Sequence, residues 1–376
     1  MYLYERDDWR SWSWDSDRLA GLLADVRHKQ GYLMGRMEAL GFELRAQAEL
    51  ETLTTDVLKS SEIEGEHLNA EQVRSSVARR LGIEIAGLRP ADRNVEGVVE
   101  MMLDATQRYL EPLTSERLFA WHAALFPTGR SGMMPIIVGA WRDDQKGPMQ
   151  VVSGPIGRER VHYEAPAAPR VPPEMDAFLD WFNLPSDFDG VLKAALAHLW
   201  FVTIHPMDDG NGRIARAICD MQLARTENSP HRFYSMSAQI RAERREYYDI
   251  LEHTQRRTMD VTAWMEWFLR CLGRVIDGAE VSLQAILHKA RFWERYGQAG
   301  LNDRQVLVVN RLLDGFEGKL TTSRYATLAK TSPDTALRDI NALMELGILV
   351  RGPGGGRSTG YVLADIDTRG VQERHR

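Results

Sequence analysis

Cysteine is nearly absent: Cys219 and Cys271 are the only two in 376 residues. That leaves no disulfide framework and no cysteine-based zinc site of the usual four-ligand kind, and it fits a reducing, cytoplasmic setting. An excess of positive charge is also missing. The formal net charge is -6, which excludes coating of nucleic acid or an anionic membrane through bulk electrostatics. No apolar run is long enough to span a bilayer; the longest, Val191 to Ile204, is interrupted by Lys193 and His198. The opening "MYLYERDDWRSW" is polar and acidic where a secretory leader needs a basic start and an apolar core. Internal repeats and low-complexity segments are lacking too, and a soluble cytoplasmic protein is the expectation.

What is present has a globular composition, 44% hydrophobic and 27% charged, and a length that suggests two or three domains. Apolar residues recur at helical spacing from Asp17 to Leu81, with Gly65 as a stop for the helix carrying Ser60 to Glu64. Helices are predicted at Asn94 to Leu110 and at Ser115 to Phe126, with Ser115 as N-cap. From Gly129 to Pro173 the texture turns to Gly, Pro and β-branched residues, and short strands are expected at "IIVGAWR", "MQVVSG" and "ERVHYEAP". Met175 to Phe182, the all-round apolar Val191 to Ile204, Arg213 to Arg225, Arg241 to Thr254 and Val261 to Arg295 read as helices. From Asp303 the pattern resets to Leu307 to Phe316, "TTSRYATLAK" and "SPDTALRDINALMELG", the last with Ser332 as cap and Pro333 first. "ILVRGPGGGRSTGYVL" then reads as two strands around a glycine-rich tip, completing a winged-helix order.

The chemistry concentrates in "HPMDDGNGRIAR", His205 to Arg216. Glycines flanking Asn211, set just before a helix, can present consecutive backbone N–H groups while the helix directs its positive end at the same point, which makes an anion cradle. Arg213 and Arg216 are three apart on that helix, share a face, and can grip distal phosphates. No Gly-Lys-Ser/Thr follows, so the loop is not a Walker loop. Asp209 is a hard oxygen ligand suited to Mg²⁺ bridging phosphates, with Asp208 as competitor. His205 has the unperturbed pKa of about 6.5 suited to taking a proton from a hydroxyl near neutrality. Together these predict phosphoryl or nucleotidyl transfer.

The stretch closely resembles the signature of the Fic (Fic/Doc) family, His-Pro-Phe-x-Asp/Glu-Gly-Asn-Gly-Arg-x-x-Arg, departing from it only at Met207, a large apolar residue expected to anchor the loop in the core. The resemblance implies a mainly α fold: an N-terminal helical region (1–110) with an inhibitory helix (about 47–65), a catalytic core (111–295) with a β-hairpin flap (about 136–164), a winged helix (300–363) and a tail (364–376). It implies transfer of AMP from ATP, with Mg²⁺, to a Tyr, Thr or Ser hydroxyl of a target protein or of the chain itself. His205 would be the general base, Asp209 the metal ligand, and Gly210, Asn211, Gly212, Arg213, Ile214, Ala215 and Arg216 the nucleotide site.

Three further elements take meaning from that resemblance. "SSEIEGE" matches the family's inhibitory motif through Ser60, Glu64 and Gly65, and Glu64 could pair with Arg216 and deny it to the γ-phosphate. The hairpin around Val151 to Tyr163 looks like the flap that holds a target as an added strand. In "REYYDIL", Tyr248 is expected at the base or ribose and Tyr247 in the core, because adjacent helical residues diverge by about 100°. The C-terminal module carries Lys319, Arg324, Lys330, Arg338, Arg351 and Arg357 against Asp334, Asp339 and Glu345, an excess weak for DNA, so protein docking or homodimer formation is favoured over DNA contact. The alternatives are a bifunctional enzyme that also removes AMP using Glu64, and a nucleotide-sensing DNA-binding regulator.

Overall fold

A computed structural model describes residues 1–84, 87–145, 147–154, 158, 160–313, 316, 319–352 and 360–364. Fourteen α-helices, two short 3-10 helices and three two-stranded antiparallel ladders form among the described residues. No described helix is long and apolar enough to cross a membrane. Two compact units divide the chain, Met1–Ala279 and Glu280–Arg376.

In the first unit α1 (Ser16–Glu38) is capped by the Asp15 carboxylate and α2 (Phe42–Ile63) follows after Gly41. α2 ends in a Schellman turn. The Glu66 N–H donates to the Ser61 carbonyl and the Gly65 N–H to that of Glu62, with Gly65 at φ +84° supplying the left-handed residue the turn requires. Next come α3 (Ala70–Leu81), α4 (Arg93–Gln107) and α5 (Ser115–Leu125). The cap of α5 is Thr114, whose hydroxyl accepts from the Arg117 N–H, so Ser115 is the first helical residue rather than the cap. α4 and α5 cross closely enough that a Cβ on Gly97 would lie 1.8 Å from the Ala124 carbonyl oxygen.

Two minimal strands, β1 (Arg130–Ser131) and β2 (Met134–Pro135), precede the main hairpin, β3 (Gln150–Ser153) with β4 (Arg160–Glu164). The expected strand "IIVGAWR" does not form. Its backbone hydrogen bonds go elsewhere: Ile137 N–H to the Asp208 carboxylate, Gly139 N–H to His122, and Arg142 N–H to the Pro206 carbonyl. The segment is spent on holding the signature loop, which overrides its β-propensity.

α6 (Val171–Asn183) leads to α7 (Gly190–Ile204), where every residue from Val191 to Ile204 is buried, as its apolar surround predicts. α7 packs on α8 (Asn211–Glu227). The helix expected over Arg241 to Thr254 is two, α9 (Met236–Ala242) and α10 (Arg244–Gln255). They break at Glu243, whose two carboxylate oxygens take both a 2.6 Å bond from Arg274 Nε and one from Nη2. α11 (Thr262–Tyr296) contains the division between the units.

The second unit adds α12 (Asp303–Leu313), α13 (Thr322–Leu328) and α14 (Pro333–Glu345), the last capped by Ser332 with Pro333 at its first position, then β5 (Leu349–Arg351) paired with β6 (Tyr361–Leu363). Its own core gathers Val308, Leu320, Tyr325, Ile340, Leu343 and Leu349. Most of the tip "GPGGGRST", including Arg357, and residues 365–376 of the tail lie outside the described residues.

Candidate active site

His205 stands at the C-cap of α7 in the left-handed conformation, φ +51° and ψ +57°, a strained backbone for a residue with a Cβ. Two neighbours hold it there. The Arg142 side chain, itself buried, donates from Nε to the His205 carbonyl at 2.8 Å and from Nη2 to the Pro166 carbonyl at the root of β4. The imidazole Nδ1 lies 3.2 Å from the Val202 carbonyl oxygen, so Nδ1 carries the proton and Nε2 keeps its lone pair. Burial pushes the imidazole pKa down to about 4; the Val202 carbonyl opposes this, Arg142 adds to it, and Asp209 and Glu64 oppose it in turn.

Met207 is fully buried and anchors the loop. Asn211 braces it: the side-chain amide donates to the Met207 carbonyl and accepts from the Met207 N–H, both at 2.9 Å. The Asn211 side chain is therefore occupied, and what it offers a ligand is backbone. Gly210, at φ +79°, is the N-cap of α8 and brings no capping side chain, so the first N–H groups of the helix itself, at Asn211 and Gly212, have no side-chain cap and can face an anion. Ile214 and Ala215 are fully buried and likewise present no side chain to a ligand.

Asp209 is held on three sides. Its carboxylate accepts from the Ser131 hydroxyl and from the Gly210 N–H, and its carbonyl accepts from His122 Nε2 at 3.1 Å. The other His122 nitrogen accepts from Gly139 N–H at 3.3 Å, which makes the ring a neutral strut; burial lowers its pKa. No cluster of three or more His, Cys, Asp or Glu side chains that could hold a metal exists among the described residues. The donor set here is carboxylate oxygen beside an anion cradle, which suits an Mg²⁺ whose remaining ligands are phosphate and water.

The two arginines are both engaged from the end of α2. Arg216, 1% exposed, donates from Nε to the Ser60 hydroxyl at 2.9 Å, and from Nη2 to the Ser60 carbonyl and Glu64 Oε1, each at 2.8 Å. The Glu64 carboxylate lies over Gly212: a Cβ there would be 2.2 Å from its Oε1. Arg213 donates from Nη1 to Glu66 Oε2 at 2.6 Å, and its guanidinium sits 5.0 Å from the Phe126 ring centre. Arg244 closes the far side, donating to the Ile63 carbonyl and lying over the half-buried Tyr248 ring at 5.1 Å. Tyr247 is buried with its hydroxyl 2.8 Å from His198 Nε2.

Five of these residues, Glu66, His122, Ser131, Arg142 and Arg244, were not singled out as site residues from sequence. Glu66 alone had a usable signal, a second acid two places beyond Glu64. His122, Ser131 and Arg142 reach the loop, and Arg244 the end of α2, across long sequence separations, and local spacing carries no trace of that.

Residues 112–223 match the Fic/DOC family model, and residues 2–83 match a domain family of unknown function, DUF4172. The chain is 34% identical over 116 residues to a protein adenylyltransferase Fic of Nematostella vectensis, covering 30% of this chain and 25% of that one. It is 24% identical over 239 residues to a protein adenylyltransferase Fic of Culex quinquefasciatus, covering 61% and 42%. The chain thus spans less than half the length of these curated relatives. In fold it is similar to a Fic family protein from Desulfovibrio desulfuricans G20, with a TM-score of 0.50, 20% identity, and 93% of this chain and 97% of that one covered. A Fic domain containing signaling protein from Bacteroides thetaiotaomicron gives the same score and identity over 69% and 97%.

Proposed function

Because residues 112–223 carry a Fic/DOC domain, we propose that this chain is a self-inhibited protein adenylyltransferase that moves AMP from ATP to a hydroxyl side chain of a protein. The observation that carries this reading is the placement of His205 and the uncapped start of α8 on one loop, with Arg213 and Arg216 behind it. The N–H groups of Asn211 and Gly212, joined by that of Gly210 once it leaves the Asp209 carboxylate, receive the α- and β-phosphates, and the two arginines the β- and γ-phosphates. Asp209, or Asp208 beside it, would hold Mg²⁺, which when bound neutralises charge building on the phosphates. The incoming Tyr, Thr or Ser hydroxyl gives its proton to His205 Nε2. Its oxygen bonds to the α-phosphorus while the bond from that phosphorus to the bridging oxygen breaks, and pyrophosphate leaves.

Supporting the target side, β3 has β4 as its only strand partner among the described residues, so its second edge is available for an added strand. Tyr248, half-buried under Arg244, is the residue we assign to the base or ribose. Glu64 is the brake, since its carboxylate takes Arg216 and covers Gly212. The second unit, three helices and then an antiparallel pair, is read as a winged helix that docks target protein or a second copy. Its excess of Lys and Arg is offset by acids such as Asp339, which pairs with Arg304 at 2.9 Å, and this favours docking of protein over DNA.

The test is incubation of the full chain with ATP labelled at the α-phosphate and a cell lysate. Label should appear on protein and should rise by about one order of magnitude or more in Glu64→Gly, each 1.36 kcal/mol being about tenfold. His205→Ala should lose covalent label while still binding nucleotide. Persistence of label in that variant at the wild-type rate would remove His205 as base, and no label in any form would favour a nucleotide-sensing regulator. If Glu64 also aligns a water for AMP removal, pre-labelled target without ATP should lose label to wild type and not to Glu64→Gly.

A further inference from the structure

The turn that delivers Glu64 to Arg216 also delivers a second carboxylate to the other arginine. Glu64 is the cap residue of α2 and Glu66 the second residue beyond it. They are joined by Gly65, and the two crossed backbone bonds of the Schellman turn fix their separation. On the facing helix Arg213 and Arg216 are three residues apart, hence on one side of α8. The two spacings match, and each acid meets one base: Glu64 Oε1 to Arg216 Nη2 at 2.8 Å, Glu66 Oε2 to Arg213 Nη1 at 2.6 Å. Arg213 is nearly buried, its side chain 6% exposed, and Phe126 covers its guanidinium. A carboxylate on it is therefore poorly screened from one side, while Glu66, at 38%, remains in reach of solvent and free to leave.

Resting on the nucleotide reading above, we infer that Glu66 is a specificity-determining residue that masks Arg213 and biases the resting site against nucleoside di- and triphosphates relative to monophosphates. A β- or γ-phosphate competes with Glu66 for the same guanidinium, whereas an α-phosphate, bound at the glycines, does not. Glu64 and Glu66 thus act on different arginines, and removing Glu64 alone leaves one distal-phosphate contact still masked.

Isothermal titration of the full chain with AMP, ADP and ATP tests this without requiring any covalent transfer. Glu66→Gln keeps shape and hydrogen bonding but removes the charge, and Glu66→Ala is the second variant. In both, ADP and ATP should bind roughly five- to tenfold more tightly, the size expected for release of a partly exposed charge-assisted pair, with AMP unchanged. Adding Arg213→Ala to Glu66→Gln should erase the gain. Unchanged ADP and ATP affinities, or an equal gain for AMP, would overturn the assignment to Glu66. Absence of binding of all three nucleotides to wild type and variants would instead overturn the nucleotide reading on which it rests.

Discussion

At the scale of single residues, the proposed transfer turns on the protonation of His205. An imidazole in an unfolded chain titrates at about 6.5, whereas here burial holds it at about 4. In the proposed transfer the neutral ring is the base, so a lowered pKa keeps it competent as pH falls. Transfer measured as kcat/KM for ATP, which reports the free protein, should stay level from pH 8 to near 5 and decline only as pH approaches 4. Bound phosphates add negative charge and raise the pKa, so the acid limb of kcat should lie at higher pH than that of kcat/KM. An acid limb of kcat/KM centred near 6.5 would show that the ring does not feel this burial. The loop that brings His205, Asp209, Arg213 and Arg216 together was legible in the sequence because donors, acids and bases crowd into twelve positions. The groups that aim them were not. Arg142 holds the His205 carbonyl across 63 positions and His122 holds the Asp209 carbonyl across 87, distances at which side-chain type says nothing about contact.

Among the elements, the crossing of α4 and α5 bears on the site although neither helix carries the signature. α5 presents His122, and its approach to α4 depends on Gly97, where a Cβ would meet the Ala124 carbonyl oxygen at 1.8 Å. Backbone cannot swing aside as a side chain can. Gly97→Ala should therefore destabilise the protein by roughly 1–3 kcal/mol, the usual range for overpacking, seen as a lower urea midpoint. Because α5 must shift to relieve the clash, labelling per folded molecule should fall as well; an unchanged midpoint would show that the helices separate freely. Most helices were legible from periodicity and caps, as Ser332 and Pro333 illustrate at α14. Two readings failed where tertiary demands won. "IIVGAWR" has the composition of a strand but gives its N–H groups to Asp208, His122 and Pro206. The helix predicted from Arg241 is divided at Glu243, whose backbone at φ -105° and ψ 27° leaves the helical region and whose carboxylate is held by Arg274 on α11.

For the molecule as a whole, every residue assigned to nucleotide or proton transfer lies before the division at Ala279 and Glu280. A chain ending after Tyr296, which keeps α11 complete, should bind ATP and label itself as the full chain does while losing preference among targets. A folded but inactive truncation would show that the second unit completes the site. α7 meanwhile sets a contrast in time. Its apolar residues are buried on every side and three of its polar side chains are bonded, Lys193 to the Leu184 carbonyl, His198 to the Tyr247 hydroxyl and Thr203 to the Leu199 carbonyl. Such a segment opens only when the domain unfolds, whereas helix ends and exposed turns open locally and often. The proposed general base thus sits at the end of a wholly buried helix, and the two acids proposed to restrain the site, Glu64 and Glu66, lie at a solvent-exposed turn. Switching can then run at the pace of a loop, with the proton acceptor already waiting in place.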